Sequence, residues 1–388
     1  MKAALVVLTS QGLKTANKVI ERWSDEEPLK LELWLNWRLK GQYIDEKHTV
    51  HLHYFKQLKE VMSGIWQSSS LLIFIMATGI VVRQIAPYLA GKDRDPAVIV
   101  LDEKGNFVIS LLSGHLGGAN AWTKTVAQWL DAHPVVTTAT DVQGLIAPDE
   151  YARQFGWAIE PLTGLKYVNR ILLEEGRLGV WTDCLPKGHP LRQDIAYCFL
   201  EDEKKEQAHL WITPQDNQQY KDKNEQNDSN DMSGIKYSNT MNNQINEFPN
   251  DRCPVRLIPR FYSVGVGCRK GVCVDRISEA IAQSIRQLGI SPLSIFGIFS
   301  IDLKSEEAGL IETAHNLGVP FRTFPAQQIQ ELNEKLRLSS SDYVKEMIGV
   351  DGVCEAASLL GTKEGELILP KQKLNGVTVA ISKERFLL

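Results

Sequence analysis

The sequence predicts a multi-domain α/β protein: two three-layer α/β domains with parallel-type sheets flank a small α+β middle domain. Three observations carry this expectation. Short runs that are apolar at every position recur, each followed by a segment of helical period, as strands buried on both faces of a parallel sheet require. At 388 residues the chain exceeds what one hydrophobic core usually serves. A long polar stretch, 213–251, separates two regions of such alternation. The expected divisions are an N-terminal domain over 1–140, a middle domain over 141–258 that includes the 213–251 insertion, and a C-terminal domain over 259–388.

Taken in order, Ala3 to Leu8 reads as a first strand, followed by "TSQG" and a helix through Ala16, Val19, Ile20 and Trp23. A less patterned stretch carries His48, His51 and His53. "LLIFIMA" at 71–77 is a strand buried on both faces, ended by Thr78-Gly79, and "IVVRQIAPYLAGK" is helical in period. "PAVIVLDEKGNFVISLL" gives two strands around a Lys104-Gly105-Asn106 turn. "NAWTKTVAQWLDAH" is an amphipathic helix with Asn120 as its cap, and "PVVTTATD" is a further strand. In such a doubly wound sheet sites form beyond the carboxyl ends of the strands, which is where the loop "SGHLGGAN" is expected. Residues 141–212 are irregular, and 213–251, rich in Asn, Gln, Asp and Lys, reads as a mobile linker. From "CPVRLIPRFYSVGVGCRKG" the alternation resumes: a strand, a glycine loop, a helix over 274–288, a strand over 293–300 and a helix over 305–317. "VPFRTF", helices around 341–361 and a pair of strands around Asn375-Gly376 complete the chain.

Composition narrows the function classes. A net charge of −4 argues against a general nucleic-acid binder, which needs a basic excess. The six cysteines are too few and too scattered for a disulfide scaffold, so reduced thiols and a cytoplasmic location are expected. No apolar run approaches the ~20 residues of a membrane helix, and the start lacks a signal-peptide pattern. No cysteine or histidine pair lies at zinc-ligand spacing, so no metal site is expected. Gly265, Gly267 and Gly271 are spaced G-x-G-x-x-x-G rather than G-x-G-x-x-G, and no phosphate-binding G-x-x-x-x-G-K-[ST] occurs, which disfavours NAD and ATP.

The loop at 113–120 is the first candidate site. Gly114, Gly117 and Gly118 let backbone approach a ligand, the capped helix offers free N–H groups to an anion, and His115 can exchange a proton near neutral pH. The plain structural alternative is a tight strand-to-helix turn with a packed histidine. Thr78 and Gly79 form a second strand end, with Arg83 one turn into the helix as a carboxylate binder. In the C-terminal domain, Gly265 and Gly267 with Arg269 and Lys270 make an anion-binding turn. Cys268, placed near the next helix, is either an activated thiol or an inert one. Lys304 lies where a strand passes into a helix, with a capping cluster as the plain structural alternative, and Glu355 is a lone acid in an apolar helix.

Together "ATGIVVRQIAP", "DPAVIVLDEKGNFVISLLSGHLGGAN", "TATD", "VGVGCRKG", "DLKSEEAGL", "GVCEAASLL" and "GVTVAISK" resemble the CbiG family of cobalamin (vitamin B12) biosynthesis. The resemblance covers 71–141 and 262–383 closely and the middle domain in position and length; the polar insertion departs from it. It implies cobalt-precorrin-5A hydrolase activity: opening of a lactone on a cobalt-containing tetrapyrrole and loss of acetaldehyde to give cobalt-precorrin-5B. It implies no organic cofactor, cobalt being carried by the substrate, and neighbouring pathway enzymes as candidate partners. His115, with Ser113 beside it, is the expected catalytic pair, and His115 as a cobalt ligand is the competing role. Thr78, Gly79, Arg83, Gly114, Gly117, Gly118, Asn120, Gly265, Gly267, Cys268, Arg269, Lys270, Lys304 and Glu355 are the expected substrate-binding residues. A non-catalytic tetrapyrrole carrier is the alternative to the hydrolase.

Overall fold

The structure, a computed structural model, describes residues 2–23, 27, 29–43, 50–91, 94–216, 254–338, 350 and 352–385. The chain divides into two compact units, Met1–Gln154 with Asn169–Gly176, and Phe155–Val168 with Arg177–Leu388. Three sheets run through them, of seven, five and five strands.

The first unit is built on β1 (Lys2–Val7), α1 (Ser10–Arg22), β2 (Lys30–Asn36), β3 (His51–Phe55), α2 (Leu58–Ser68), β4 (Leu71–Ile75), α3 (Thr78–Ile85), β5 (Ala97–Leu101), β6 (Phe107–Leu112), α4 (Ala119–Leu130), β7 (His133–Val135), α5 (Ala139–Val142) and α6 (Pro148–Phe155). Its strand order is β3-β2-β1-β4-β5-β6-β7. The fully apolar runs are explained by covering on both faces. In β4, Leu71, Ile73 and Ile75 pack into the core with Leu13, Ala16 and Val19 of α1 and with Val126 of α4. Leu72 and Phe74 point the other way, to Met62 and Ile65 of α2 and Val81 of α3. His51 and His53, in the stretch without a clear pattern, lie on the edge strand β3.

One expectation is overturned here. The Lys104-Gly105-Asn106 turn makes β5 and β6 a hairpin, so β6 runs antiparallel to β5, with Leu101 opposite Val108 and Val98 opposite Leu112. β7 then runs parallel to β6. The loop after β6 therefore opens at the amino ends of β4 and β5, not at their carboxyl ends. Thr78, Gly79 and Arg83 begin α3 at the carboxyl end of β4, a strand length of about 17 Å away. The predicted strand "PVVTTATD" is also shorter: pairing stops at Val135, and 139–142 turn into α5.

The remaining elements are β8 (Ala158–Glu160), α7 (Leu165–Glu175), β9 (Leu178–Thr182), β10 (Tyr197–Phe199), β11 (Leu210–Ile212), β12 (Val255–Ile258), β13 (Tyr262–Cys268), α8 (Val274–Leu288), β14 (Ile295–Ile301), α9 (Ala308–Asn316), β15 (Phe321–Phe324), α10 (Ala326–Leu336), α11 (Cys354–Leu360), β16 (Gly365–Leu374) and β17 (Val377–Glu384). The middle sheet has the order β10-β9-β11-β12-β8 and is parallel except for β8. The last sheet has the order β15-β14-β13-β17-β16, parallel over β13 to β15, with β16 and β17 the expected hairpin. Of the polar insertion only 213–216 are described, Gln215 bridging to Ile290. Likewise 339–349, part of the helices expected around 341–361, lie outside the described residues. Among the described residues no helix is long and apolar enough to cross a membrane.

Candidate active site

β6 delivers Ser113 to Gly118 to the start of α4. Ser113 takes a positive φ of 56° and donates its hydroxyl to the Asp95 carbonyl at 3.0 Å. The loop is bare of side chains because it folds on itself. A Cβ at Gly114 would lie 2.7 Å from Asn120 Oδ1, one at Gly117 would lie 2.5 Å from Ser113 Cβ, and Gly118 has a φ of +85°. These glycines admit neighbouring protein groups.

Two details differ from expectation at the helix start. The N-cap is Gly118, and Asn120 sits inside α4. The first amides are also engaged: Ala119 N–H donates to the Ser113 carbonyl at 3.1 Å and Asn120 N–H to the Gly114 carbonyl at 3.0 Å. An anion has no claim on those two donors. The Asn120 side chain is instead a buried brace. It accepts from Ser110 Oγ at 2.6 Å and donates to Thr138 Oγ1 at 3.1 Å and to Asp141 Oδ2 at 2.8 Å.

His115 is held on both sides of its ring. Nδ1 lies 3.3 Å from Asp149 Oδ2, and Nε2 lies 3.3 Å from Asp141 Oδ2 and 3.2 Å from Thr140 Oγ1. Burial by itself would lower the imidazole pKa, but hydrogen bonding and charge from Asp149, then from Asp141, outweigh it and raise the pKa above the ordinary value. Asp141 is lowered: desolvation pushes it up, but Lys124, 2.8 Å away, and then His115 hold it down. Asp149 lies in the first turn of α6, which Pro148 begins, so the helix dipole also favours its carboxylate. The arrangement favours an imidazolium donating from both nitrogens, which leaves neither with a lone pair for cobalt.

The other expected residues are placed as follows. Arg83 donates back to the Gly79 carbonyl at 2.9 Å. Thr78 borders a cavity of about 440 Å³ over Met76, Glu103, Phe107, Ile109 and Val135, on the opposite edge from His115. In the second unit Gly265, Gly267 and Cys268 are not in a loop at all; they lie within β13. A Cβ at Gly265 would come 1.8 Å from the Cys354 carbonyl oxygen and one at Gly267 would come 2.6 Å from Thr378 Oγ1, so these glycines admit α11 and β17. Arg269 and Lys270 are exposed on the turn that follows. Cys268 is six residues from the start of α8, too far for its dipole, and burial raises the thiol despite Lys304 nearby, so it is not an activated nucleophile. Lys304 pairs with Glu307 at 3.0 Å, and Glu307 also accepts the Gly271 N–H at 2.8 Å, which is the capping-cluster alternative. Glu355, 6% exposed, accepts the Lys371 N–H at 2.9 Å.

Asp149, which the fold brings to His115, was not singled out in the sequence, and Asp141, Thr140 and Lys124 carried no assigned role. Only the acid of "TATD", at the end of a candidate strand, offered a signal. Among the described residues no group of three or more His, Cys, Asp or Glu is arranged to hold a metal ion.

A nearly buried histidine bracketed by two carboxylates at the end of an α/β sheet is an arrangement that α/β enzymes of the general acid–base kind use for proton transfer. Three sequence families match the chain in order: Cobalamin synthesis G N-terminal over residues 60–141, Cobalamin biosynthesis central region over 146–224, and Cobalamin synthesis G C-terminus over 262–382. A cobalt-precorrin-5A hydrolase from Salmonella typhimurium is 34% identical over 80% of this chain and 81% of its own. One from Priestia megaterium is 29% identical over 98% of this chain and 94% of its own. A solved structure of a cobalamin biosynthesis protein G homolog from Sulfolobus solfataricus is 20% identical, covering 99% of this chain and 97% of that one, with a TM-score of 0.36. The chain belongs to the cobalamin biosynthesis G family, CbiG.

Proposed function

We propose that the chain is a cobalt-precorrin-5A hydrolase, opening the lactone of a cobalt-containing tetrapyrrole and releasing acetaldehyde. The observation that carries this is the in-order match of all three CbiG regions, together with relatives named for that reaction that align over most of the chain. Hydrolysis adds water to the lactone carbonyl carbon and breaks its bond to the ring oxygen, which must gain a proton to leave. His115, 3.3 Å from a carboxylate on each side of its ring and raised in pKa by them, supports that role. The freed alcohol departs as acetaldehyde once its own proton is removed and the carbon–carbon electron pair is drawn into the conjugated macrocycle.

The test is anaerobic incubation of the protein with cobalt-precorrin-5A, following the tetrapyrrole mass and trapping acetaldehyde. Acetaldehyde in many-fold excess over protein is the expected result; tight binding of unchanged substrate would instead define a carrier. Replacing His115 with Ala is expected to lower kcat about 100-fold or more with the fold intact.

A further inference from the structure

The two sides of the His115 clamp are not equivalent. The Asp149 side chain is 4% exposed and that of Asp141 is 18%, so Nδ1 faces the interior and Nε2 the open side of the site. Asp141 also has other donors to fall back on, Lys124 Nζ at 2.8 Å and Asn120 Nδ2 at 2.8 Å, so it can release Nε2 without losing all its compensation. We propose that Asp149 is the positioning residue of this active site, fixing Nδ1–H of His115 so that Nε2–H is the proton given to the substrate, with Asp141 as the carboxylate that yields its place to the lactone.

This rests on the hydrolase reading above. Water adds to the acyl carbon, the acyl carbon–oxygen bond breaks, and the departing oxygen takes the Nε2 proton. Of the two protons that the added water brings, one passes to Nε2 and restores the imidazolium, and the other stays on the new carboxylic acid until it ionises to solvent. Asp149 stays ionised throughout, as the carboxylate of a catalytic triad does. The charged groups around the ring come from three helices: Asp149 from α6, Asp141 from α5, and Lys124 of α4 behind Asp141. Arg153, paired with Glu150 at 2.5 Å, lies beside Gly118. Asp149 falls in the central-region match while His115 falls in the N-terminal one, so the site is completed across that sequence boundary.

The experiment uses the full chain and follows the His115 ring nitrogens by NMR, identified by their loss in His115→Gln, beside the pH profile of kcat. In Asp149→Asn the imidazole is expected to lose its proton at lower pH, the alkaline fall of kcat to move down with it, and kcat at neutral pH to drop about 100-fold. Asp149→Glu, which keeps the charge at a changed reach, is expected to hold the proton near the wild-type position and recover part of kcat. A folded Asp149→Asn whose ring titration and pH profile match the wild type would overturn the proposal. So would an Asp149→Glu variant that titrates like Asp149→Asn, which serves if Asp149→Asn does not fold. Absence of acetaldehyde from the wild type would instead defeat the hydrolase reading, and the NMR titrations would still decide what Asp149 holds.

Discussion

At the residue scale, the clamp ties stability to pH. The folded-state pKa of His115 is raised, so its contribution is complete below the unfolded value of about 6.5 and is lost as pH rises through the folded value. That of Asp141 is lowered, so its contribution is present above about 3.9 and is lost as pH falls. The clamp is therefore strongest between those limits. Urea unfolding should show wild type ahead of His115→Gln by on the order of 1–2 kcal/mol at pH 6, with the gap narrowing as pH is raised toward 9. A gap that widens with pH would contradict the charged clamp. Glu355 makes a second test. Glu355→Gln keeps an acceptor for the Lys371 amide, while Glu355→Leu removes the acceptor of that half-buried N–H and is expected to cost about 1 kcal/mol. In the sequence His115 stood out because one imidazole in a glycine loop is conspicuous. Asp149 did not, because an acid after Pro in the first turn of a helix is ordinary capping chemistry, and only the fold brings it to the ring.

At the scale of elements, the close contact between β13 and α11 sets the tolerance of the second unit. Ser263 Oγ donates to the Ser358 carbonyl at 2.6 Å, and the Ser358 and Ser382 hydroxyls lie 2.7 Å apart, a buried polar seam between helix and strands. Gly265 makes that distance possible. Gly265→Ala must push α11 outward and is expected to cost about 3 kcal/mol or more, seen as a large fall in Tm. A glycine in a strand tells the reader that some backbone or ligand comes close, but not which, so "VGVG" resembles a ligand loop until α11 is seen above it. Several long elements were legible from period: α8 spans the predicted 274–288, and β16 and β17 flank Asn375-Gly376, whereas α2, α7 and α10 were not singled out. β8, β10 and β11 were not, because three residues carry too little alternation to define a strand.

At the scale of the whole molecule, the first and last sheets are the parallel-type α/β sheets that were expected, while the direction of β6 and β7 decides where the histidine loop lies. A tight turn between apolar runs dictates an antiparallel pair, so the reversal was present in the sequence; the regular strand–helix alternation on either side obscures it. A nucleotide or S-adenosylmethionine site in the glycine-rich run of β13 would meet covered glycines at 265 and 267. ATP, NAD and S-adenosylmethionine at millimolar levels are expected to leave the melting midpoint of the full chain unmoved, and a concentration-dependent rise with any of them would count against this account. The β5–β6 hairpin has one more use. Its exposed Lys104 lies at the far tip, the length of six-residue β6, or about 20 Å, from the histidine loop. A fluorophore carried there would sit clear of the reacting nitrogen yet within energy-transfer range of it, giving an optical ruler for the arrival of a strongly absorbing macrocycle.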